Sequence, residues 1–388
     1  MFDPRDPEFL EDPYPAFAAL RAEGDVHFHD GLGLALTVSH AASAAVLRHR
    51  GLGRIWQDAQ PLERFASFNL LHRNSLLENE PPAHTRLRRL IAGAFGRGHV
   101  QRLQPMVATL ATRMVDDLAA AIAADGSADL LEHLAQPLPV AVIAELLGVP
   151  GTDGPRMVQL SNAIVKMYEY GLPETERDAA EQAAEEFVSY VRSVATSRAE
   201  SPGDDIISDL LRSELTPDEL VATAVLLLMA GHEATVNVLG NGITALLTHR
   251  DQWDRLLATP SLLDSCVEEL IRFDAPLQLF ERTATEDVTI AGFVVERGQK
   301  IGALLGAAAR DPKVFENPNR LDIGRTPNAH LGFGMGIHYC VGAPLARVEI
   351  AAALTALTEK VPGLRLVETP PRRPEFVIRG LRELRVTA

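Results

Sequence analysis

One stretch near the middle of the chain constrains the fold more than any other. Residues 218–249 carry apolar side chains at helical spacing on nearly every face of the predicted helix. A helix of this kind is buried on most sides, so the rest of the chain must pack around it. Its longest apolar run, residues 221–231, is too short to span a bilayer. The pattern therefore predicts a core helix and no membrane span.

The N-terminal part of the chain predicts short strands between helices. Residues 26–29 and 34–38 have the composition of strands, and Asp30-Gly31 between them is a typical turn. Ser39 is placed to cap the helix that follows.

Further along, the chain is predicted to be mostly helical. Helix follows helix over residues 82–213, and a hairpin is expected at 288–298. Residues 51–80 show no clean period and are interpreted as a long functional loop. No repeat or linker divides residues 1–388, so we expect one compact, mainly α domain with small sheets.

Composition and charge exclude several functional classes. The 388 residues include 52 acidic and 37 basic side chains, and the net charge of −15 repels nucleic-acid phosphates. The first residues are acidic and broken by proline, unlike a signal peptide. With only Cys266 and Cys340 present, a disulfide framework is excluded and a reducing cytoplasm is the expected location. We therefore expect a soluble, cytoplasmic protein that binds neither nucleic acid nor membranes.

Residues 333–342, which we call the cysteine loop, are the strongest candidate for chemistry. They read FGMGIHYCVG, so three glycines surround Cys340 just before a predicted helix at 343–357. Glycines allow close backbone approach, and a thiol at a helix N-terminus is favoured as the thiolate. A zinc ion or an iron–sulfur cluster would need further cysteine ligands, and no second cysteine lies nearby in the sequence. Haem iron needs only one thiolate from the protein. The alternative is a buried structural cysteine, which is the interpretation given to Cys266.

The middle of the long helix carries small side chains. Ala230 and Ala234 are four residues apart on one helix face, and Gly231 lies beside them. Small residues leave a groove against which a large flat group can press. Glu233 lies among apolar neighbours, and a buried carboxylate usually has a partner or a function.

The cysteine loop resembles the haem-binding signature of the cytochromes P-450: Phe, two residues, Gly, one residue, His or Arg, one residue, Cys, one residue, Gly. Every fixed position is filled. The sequences at 81–88, 230–235 and 269–272 extend the resemblance over essentially the whole chain. It implies a mainly α, single cytochrome P-450-type domain, with many helices around a haem and small β-sheets, of the soluble bacterial branch.

The resemblance also implies roles for individual residues. Cys340 is expected to bind the iron of haem b as its axial thiolate. Glu269 and Arg272 are expected to form a buried structural triad with Arg320, from the loop before the cysteine. The other expected haem contacts, including those to the propionates, are His84, Arg88, Ala230, Gly231, Arg282, Phe333, Gly334, His338 and Gly342.

The implied activity is that of a haem-thiolate monooxygenase, which uses O2 to hydroxylate or epoxidise a medium-sized organic substrate in secondary metabolism or in the oxidation of xenobiotics. Electrons are expected from a separate ferredoxin and ferredoxin reductase, and the enzyme is expected to be a monomer. The expected substrate pocket includes Phe65, Phe68, Met167, Leu277, Phe280 and Ile378. The ferredoxin is expected to dock on a basic patch of Arg86, Arg89, Arg97, Arg102 and Arg347.

One position departs from the family pattern. The family usually has an acid followed by threonine, whereas here Glu233 is followed by Ala234, and Thr235 comes one residue later, turned about 100° around the helix. We therefore expect a water- or substrate-assisted proton relay linked to solvent by Glu233, with a smaller contribution from Thr235. Two alternatives remain: another outcome, such as ring coupling, dealkylation or desaturation, and a non-catalytic helper of the same fold. The complete cysteine loop disfavours the helper.

Overall fold

The computed structural model describes residues 1–388, apart from the side chain of Arg97. Helices dominate it. In chain order they are α1 (Pro7–Glu11), α2 (Tyr14–Glu23), α3 (His40–Arg48), α4 (Ala66–Arg73), α5 (Ala83–Ala92), α6 (Arg97–Asp125), α7 (Pro137–Leu147), α8 (Gly154–Val165), α9 (Glu174–Glu200), α10 (Ile206–Leu211), α11 (Pro217–Thr248), α12 (Arg250–Ala258), α13 (Leu263–Phe273), α14 (Leu305–Ala308) and α15 (Ala343–Lys360).

The strands are short and form small sheets. They are β1 (Val26–His29), β2 (Leu34–Thr37), β3 (Leu52–Gly53), β4 (Ala128–Asp129), β5 (Leu279–Ala284), β6 (Val288–Ile290), β7 (Phe293–Val295), β8 (Lys300–Leu304), β9 (Arg365–Leu366) and β10 (Arg385–Thr387). The predicted hairpin is β6–β7, and its turn residues, Ala291 and Gly292, have φ of 49° and 85°, as a tight hairpin turn requires. The mainly α fold with small sheets is thus confirmed.

One compact unit comprises Met1–Gly53, Leu103–Leu138 and Ala234–Ala388, and it holds the sheets. The largest sheet has the order β1-β2-β8-β5-β3, in which β2 and β8 are parallel and the other pairs antiparallel. Buried apolar side chains of the sheet and of α3 form one cluster. This packing fixes β5, which carries Arg282 opposite Ile301 of β8.

The other compact unit comprises Arg54–Arg102 and Pro139–Glu233. Here α9 packs against α4 and α8. The N-terminus of α4 has no side-chain cap of its own; instead the Glu181 carboxylate of α9 accepts hydrogen bonds from the N–H groups of Ser67 and Phe68, both at 2.8 Å. The prediction of a long loop at 51–80 was therefore wrong, because β3 and α4 lie within it and the cap of α4 comes from elsewhere in the chain.

The long helix that the sequence predicts is α11, which begins and ends within one residue of the expected bounds. By length and hydropathy it could cross a membrane, but 78% of its apolar window is buried inside the protein, as in a core helix. Its burial follows from apolar side chains on nearly every face.

Candidate active site

The cysteine loop is a tight turn whose glycines are required by its geometry. Gly334 and Gly336 have φ of 68° and 75°, a conformation that favours glycine. A Cβ at Gly336 would lie 2.6 Å from the carbonyl oxygen of Leu47, near the end of α3. The Cys340 N–H donates to the Phe333 carbonyl at 2.9 Å. The loop is thereby held against α3 and presents Cys340 just before α15.

The two cysteines lie in different environments. Cys266 is fully buried in α13, and burial, together with the Glu269 carboxylate, raises the pKa of its thiol to about 12. A thiol of that kind stays protonated and is a poor metal ligand. Cys340 is exposed at the start of α15. Of the two, only Cys340 is placed to bind a metal as a thiolate.

Strand β5 reaches the cysteine loop. A Cβ at Gly334 would lie 3.5 Å from the ring of Phe280, and Arg282 follows on the same strand, only 3% exposed. His338 is half-buried in the loop itself. The Arg282 guanidinium donates to the Glu281 carbonyl oxygen at 2.8 Å, and guanidinium and imidazole N–H groups are donors of the kind that bind the propionates of a haem. Arg282 and His338, the basic residues of this unit that are predicted to contact haem, therefore fit a haem.

Helix α5, in the other unit, carries His84 and Arg88 one turn apart. His84 is buried and Arg88 is half-buried. Arg86 instead pairs with Glu219 of α11, so it does not share the face of His84 and Arg88. The spacing expected of two propionate partners is present on this helix.

The middle of α11 has one uncovered strip of small residues. Ala230 is exposed and Ala234 half-buried, although their neighbour Met229 is buried. Gly231 faces a different side, where a Cβ would come within 2.6 Å of the Ile143 side chain of α7. Ala230 and Ala234 thus stay candidates for the predicted groove, while Gly231 serves close packing of α7 because it is turned about 100° from Ala230.

Beyond Ala234, Thr235 is buried and makes a hydrogen bond with the carboxyl group of Glu349, from α15. Burial, opposed in part by this hydrogen bond, raises the pKa of Glu349 to about 8. Glu233 is also buried, 6% exposed. Glu349 is a site candidate that sequence reasoning missed, although a signal existed: it lies four residues after Leu345 and four before Ala353, on the buried face of α15.

The predicted structural triad exists, but its third member is Arg325 and not Arg320. Glu269 and Arg272 are fully buried and form two hydrogen bonds of 2.7 Å. The Nε atom of Arg325 donates to both Glu269 oxygens, at 3.2 and 3.1 Å. The side chain of Arg320 is exposed, and only its carbonyl accepts from Arg272 and Arg325. The loop turns back after Arg320, so the later arginine reaches the carboxylate.

Two of the predicted pocket residues belong to the packing of α4. Phe65 is completely buried, with the guanidinium groups of Arg64 and Arg177 at 5.0 and 4.9 Å from its ring centre. A side chain without accessible surface lines no cavity, so its prediction as a substrate contact is corrected. Phe68 is 3% exposed, and its ring centre lies 4.0 Å from that of His72.

Of the other predicted pocket residues, Leu277, Phe280 and Met167 are half-buried, and Ile378 is buried. Leu277 and Ile378 pair in an antiparallel bridge, and Phe280 is half-buried against Gly334. Met167 is half-buried in a short helical turn after α8. Two segments far apart in the sequence, one with Leu277 and Phe280 and the other with Ile378, thus meet in one region of their unit.

Two of the five arginines of the predicted basic patch are neutralised by carboxylates. Arg86 pairs with Glu219, and Arg347 pairs with Glu268 with a contact of 3.0 Å. Arg89 and Arg102 are exposed, and Arg102 contacts a histidine. The side chain of Arg97 lies outside the described part of the structure. The prediction that these arginines form one cationic surface is corrected, because neighbouring acids cancel two of them.

A different basic surface borders the cysteine loop. The end of α3 exposes Arg48, His49 and Arg50, and the loop packed against it exposes Ile337 and Tyr339, 48% and 40% accessible. In the described part of the structure neither arginine has an ion-pair partner. We call these five residues the loop-side surface.

Comparison with known proteins identifies the family. The family model of cytochrome P-450 matches residues 56–360. The monooxygenase PikC of Streptomyces venezuelae is 39% identical over 97% of this chain and 91% of its own, and the mycinamicin IV hydroxylase/epoxidase of Micromonospora griseorubida is 39% identical over 81% of this chain and 80% of its own. The structure of the cytochrome P-450 BioI with an acyl carrier protein bearing hexadec-9Z-enoic acid superposes with a TM-score of 0.94, at 31% identity, covering 98% of this chain and 99% of that one. With a cysteine presented for a haem on a fold shared along the whole chain, this protein belongs to the cytochrome P-450 superfamily and is a bacterial-type haem-thiolate monooxygenase.

Proposed function

We propose that this monooxygenase hydroxylates or epoxidises a medium-sized, largely apolar product of secondary metabolism. The observation that carries the activity is the cysteine loop with its single exposed thiol. The substrate class is supported by relatives whose names include a polyketide-biosynthesis enzyme of Bacillus subtilis and a mycinamicin IV hydroxylase/epoxidase. Leu277, Phe280 and Ile378 offer an apolar wall for such a molecule.

The substrate class is tested by titrating the purified enzyme with a panel of macrolides, fatty acids and sterols. A substrate that displaces iron-bound water changes the spin state of haem, and this is visible in the absorption spectrum. We expect saturable shifts with macrolide-like compounds. Shifts with fatty acids alone would contradict the proposed class.

A carrier-bound acyl chain is the second candidate substrate. It is supported by the similarity to the structure of BioI with its acyl carrier protein. Titration with the same acyl chain, once free and once attached to a carrier protein, separates the two possibilities. A response only to the attached form would favour the carrier.

The residues that would hold haem are those described above. Iron bound to a thiolate supplies the activation of O2 when haem is present. In our proposal the Cys340 thiolate would bind the iron. His84, Arg88, Arg282 and His338 would bind the propionates, and the small side chains of Ala230 and Ala234 would leave room for the haem beside α11.

Proton delivery needs a substitute for the missing threonine hydroxyl, because Ala234 cannot donate. We infer a relay through water or a substrate hydroxyl, with Glu233 as the link to solvent. In Ala234→Thr, the fraction of reducing equivalents recovered as product is therefore expected to change little. Glu233→Gln is expected to lower turnover by about 10²-fold, while substrate binding is retained. A large rise in that fraction in Ala234→Thr would show that the natural site has no substitute relay. Both are measured as product and peroxide per NADPH consumed.

We propose that an acidic ferredoxin docks on the loop-side surface and supplies the electrons. A ferredoxin reductase in turn reduces the ferredoxin. Arg48 and Arg50 supply positive charge beside the cysteine loop despite the net charge of −15, while Ile337 and Tyr339 supply apolar contact. The double variant Arg48→Glu, Arg50→Glu is expected to slow reduction by ferredoxin roughly tenfold or more at low salt and to flatten its salt dependence.

The control for this prediction makes the same change in net charge at Arg113 and Arg365, which are exposed in α6 and β9. Stopped-flow reduction measured over a range of ionic strength compares the two double variants. Equal rates in both would exclude the loop-side surface.

We further propose that the chain acts as one monomeric haem domain in the cytoplasm. Of the four boundaries between its two compact units, three fall inside the continuous helices α6, α7 and α11, which supports one folding unit; the fourth directly follows β3. Sedimentation of the holoenzyme checks the monomer, and a single calorimetric unfolding transition would support the single domain.

A further inference from the structure

One buried carboxylate joins the N-terminal segment of the chain to its C-terminal segment. Asp274, the residue after α13, is 6% exposed. Its carboxylate accepts hydrogen bonds from the Tyr14 hydroxyl at 2.7 Å and from Arg379 Nε at 2.8 Å. Arg372 Nη2 donates to its other oxygen at 2.9 Å. Burial disfavours the charged form of Asp274, but the two guanidinium groups prevail and hold its pKa far below the usual range.

Arg379 extends this network to helix α1. The terminal guanidinium nitrogens of Arg379 donate to the carbonyl oxygens of Leu10 and Glu11, the latter at 2.7 Å. The last carbonyls of a helix have no donor within the helix, so a side chain from elsewhere can satisfy them. Arg379 is itself only 5% exposed, and its guanidinium is held by these two carbonyls and by Asp274. We call Asp274 and Arg379 the ionic anchor.

Aromatic rings join the same two segments a second time. The ring centre of Phe376, which is 4% exposed, lies 5.6 Å from that of Phe2 and 5.5 Å from that of Phe9. Phe2 and Phe9 stack on each other at 4.3 Å. Aromatic pairs at such distances are favourable beyond the burial of their area. We call these three rings the aromatic anchor.

The residues between the two anchors form the apolar wall proposed for the substrate. Ile378 forms an antiparallel bridge with Leu277. On one side of it the Gln278 N–H donates to the Val377 carbonyl at 3.0 Å. On the other side the Arg379 N–H donates to the carbonyl of the residue before Leu277 at 2.7 Å. A shift of either anchor therefore moves the Ile378 side chain relative to its partner strand.

We propose that helix α1 and Asp274 set the position of Ile378 and thereby the size of the ligand that fits against this wall. The inference rests on the proposed function, which takes Leu277 and Ile378 as substrate contacts. Asp274 and Arg379 are positioning residues in this scheme, because they act through Ile378 and do not touch the substrate.

The chemistry of the ionic anchor suits positioning more than stability. Replacing a buried ion pair by apolar side chains of similar volume is often neutral or stabilising, so burying Asp274 among guanidinium groups is an inefficient way to stabilise a core. Charge-assisted hydrogen bonds to a guanidinium, however, have fixed directions and specify one arrangement. Here they orient the residue that directly follows Ile378.

The first test compares a large and a small ligand of haem iron on the holoenzyme. Econazole is bulky and must fit against the wall, whereas imidazole binds the iron without reaching it. In Asp274→Asn we expect the Kd for econazole to rise about tenfold and the Kd for imidazole to change by less than about twofold. Both constants are read from the shift of the haem absorption band.

A second variant acts from α1 and leaves the buried charges paired. Phe9→Ala removes one ring of the aromatic anchor and is expected to give the same split between the two ligands, and Phe9→Leu should restore most of the affinity for econazole. If Asp274→Asn does not fold, Phe9→Ala decides the matter. Leu118→Ala is the control, since it empties a fully buried apolar position in α6 of the same compact unit at a comparable cost in stability.

Hydrogen exchange measures the position of the wall without any ligand. In Phe9→Ala the peptide that covers residues 376–381 should exchange faster than in the native holoenzyme, because the amides of Gln278 and Arg379 lose their fixed acceptors. A peptide covering β10 should be unchanged. Native exchange at 376–381 in Phe9→Ala would contradict the proposal.

Two further results would overturn the role of α1 and Asp274. One is an unchanged Kd for econazole in the variants of both anchors, and the other is an equal rise in Leu118→Ala, which would trace the effect to lost stability. Neither result touches the thiolate spectrum of the native enzyme or its spin shift with macrolide-like compounds. Absence of that spectrum and shift in the native enzyme would instead contradict the proposed function.

Discussion

Replacing Cys340 by alanine is expected to abolish the red-shifted Soret band of the reduced, carbon-monoxide-bound enzyme. That band reports a thiolate on the iron, and α13 holds the other cysteine as a buried, protonated thiol. Without the thiolate, haem is expected to be retained only weakly by its propionate contacts, so haem content is measured alongside the spectrum.

Cys266→Ala is the matched control for this experiment. It removes the other cysteine thiol of the chain, and the main expected effect is a loss of stability because a small cavity is left in the core. Its carbon monoxide spectrum should be that of the native enzyme. A thiolate spectrum in Cys340→Ala would refute the assignment of the ligand.

Breaking the buried triad is expected to have the second-largest effect. Arg325→Ala removes one of the two cations around the fully buried Glu269, and loss of one partner of a buried ion pair costs about 3–5 kcal/mol in the free energy of unfolding. Because the same segment leads into the cysteine loop, haem retention should fall as well.

Arg320→Ala is the control for the triad. Its side chain is exposed and makes no recorded ion pair in the described structure, so we expect a change within about 0.5 kcal/mol. Denaturant unfolding of the holoenzyme measures both variants. If Arg320→Ala were the more destabilising of the two, the triad described here would be wrong.

Several elements were predictable from the sequence because the causes are local. The length of α11 follows from continuous apolar spacing, and the β6–β7 hairpin from Ala291-Gly292. The turn of the cysteine loop follows from glycines that adopt left-handed φ values. In each case the residues that determine the conformation are adjacent along the chain.

Other features could not be predicted because their partners are distant in sequence. Helix α4 is capped by Glu181, more than a hundred residues away, so its own sequence shows no start signal. The choice of Arg325 over Arg320 depends on how the loop turns back towards α13. Phe65 has an aromatic side chain of the kind that lines substrate pockets, but two arginines cover its ring.

The sequence by itself determined the family, the haem ligand to be tested and the departure at Ala234, because each is written in a short run of residue types. Only the tertiary structure decided which arginine completes the triad, which cations beside the cysteine loop are left without a carboxylate, and that Thr235 meets Glu349. Burial and ion pairing are properties of side chains from separate segments. Packing brings those segments together, and no local pattern encodes their distances.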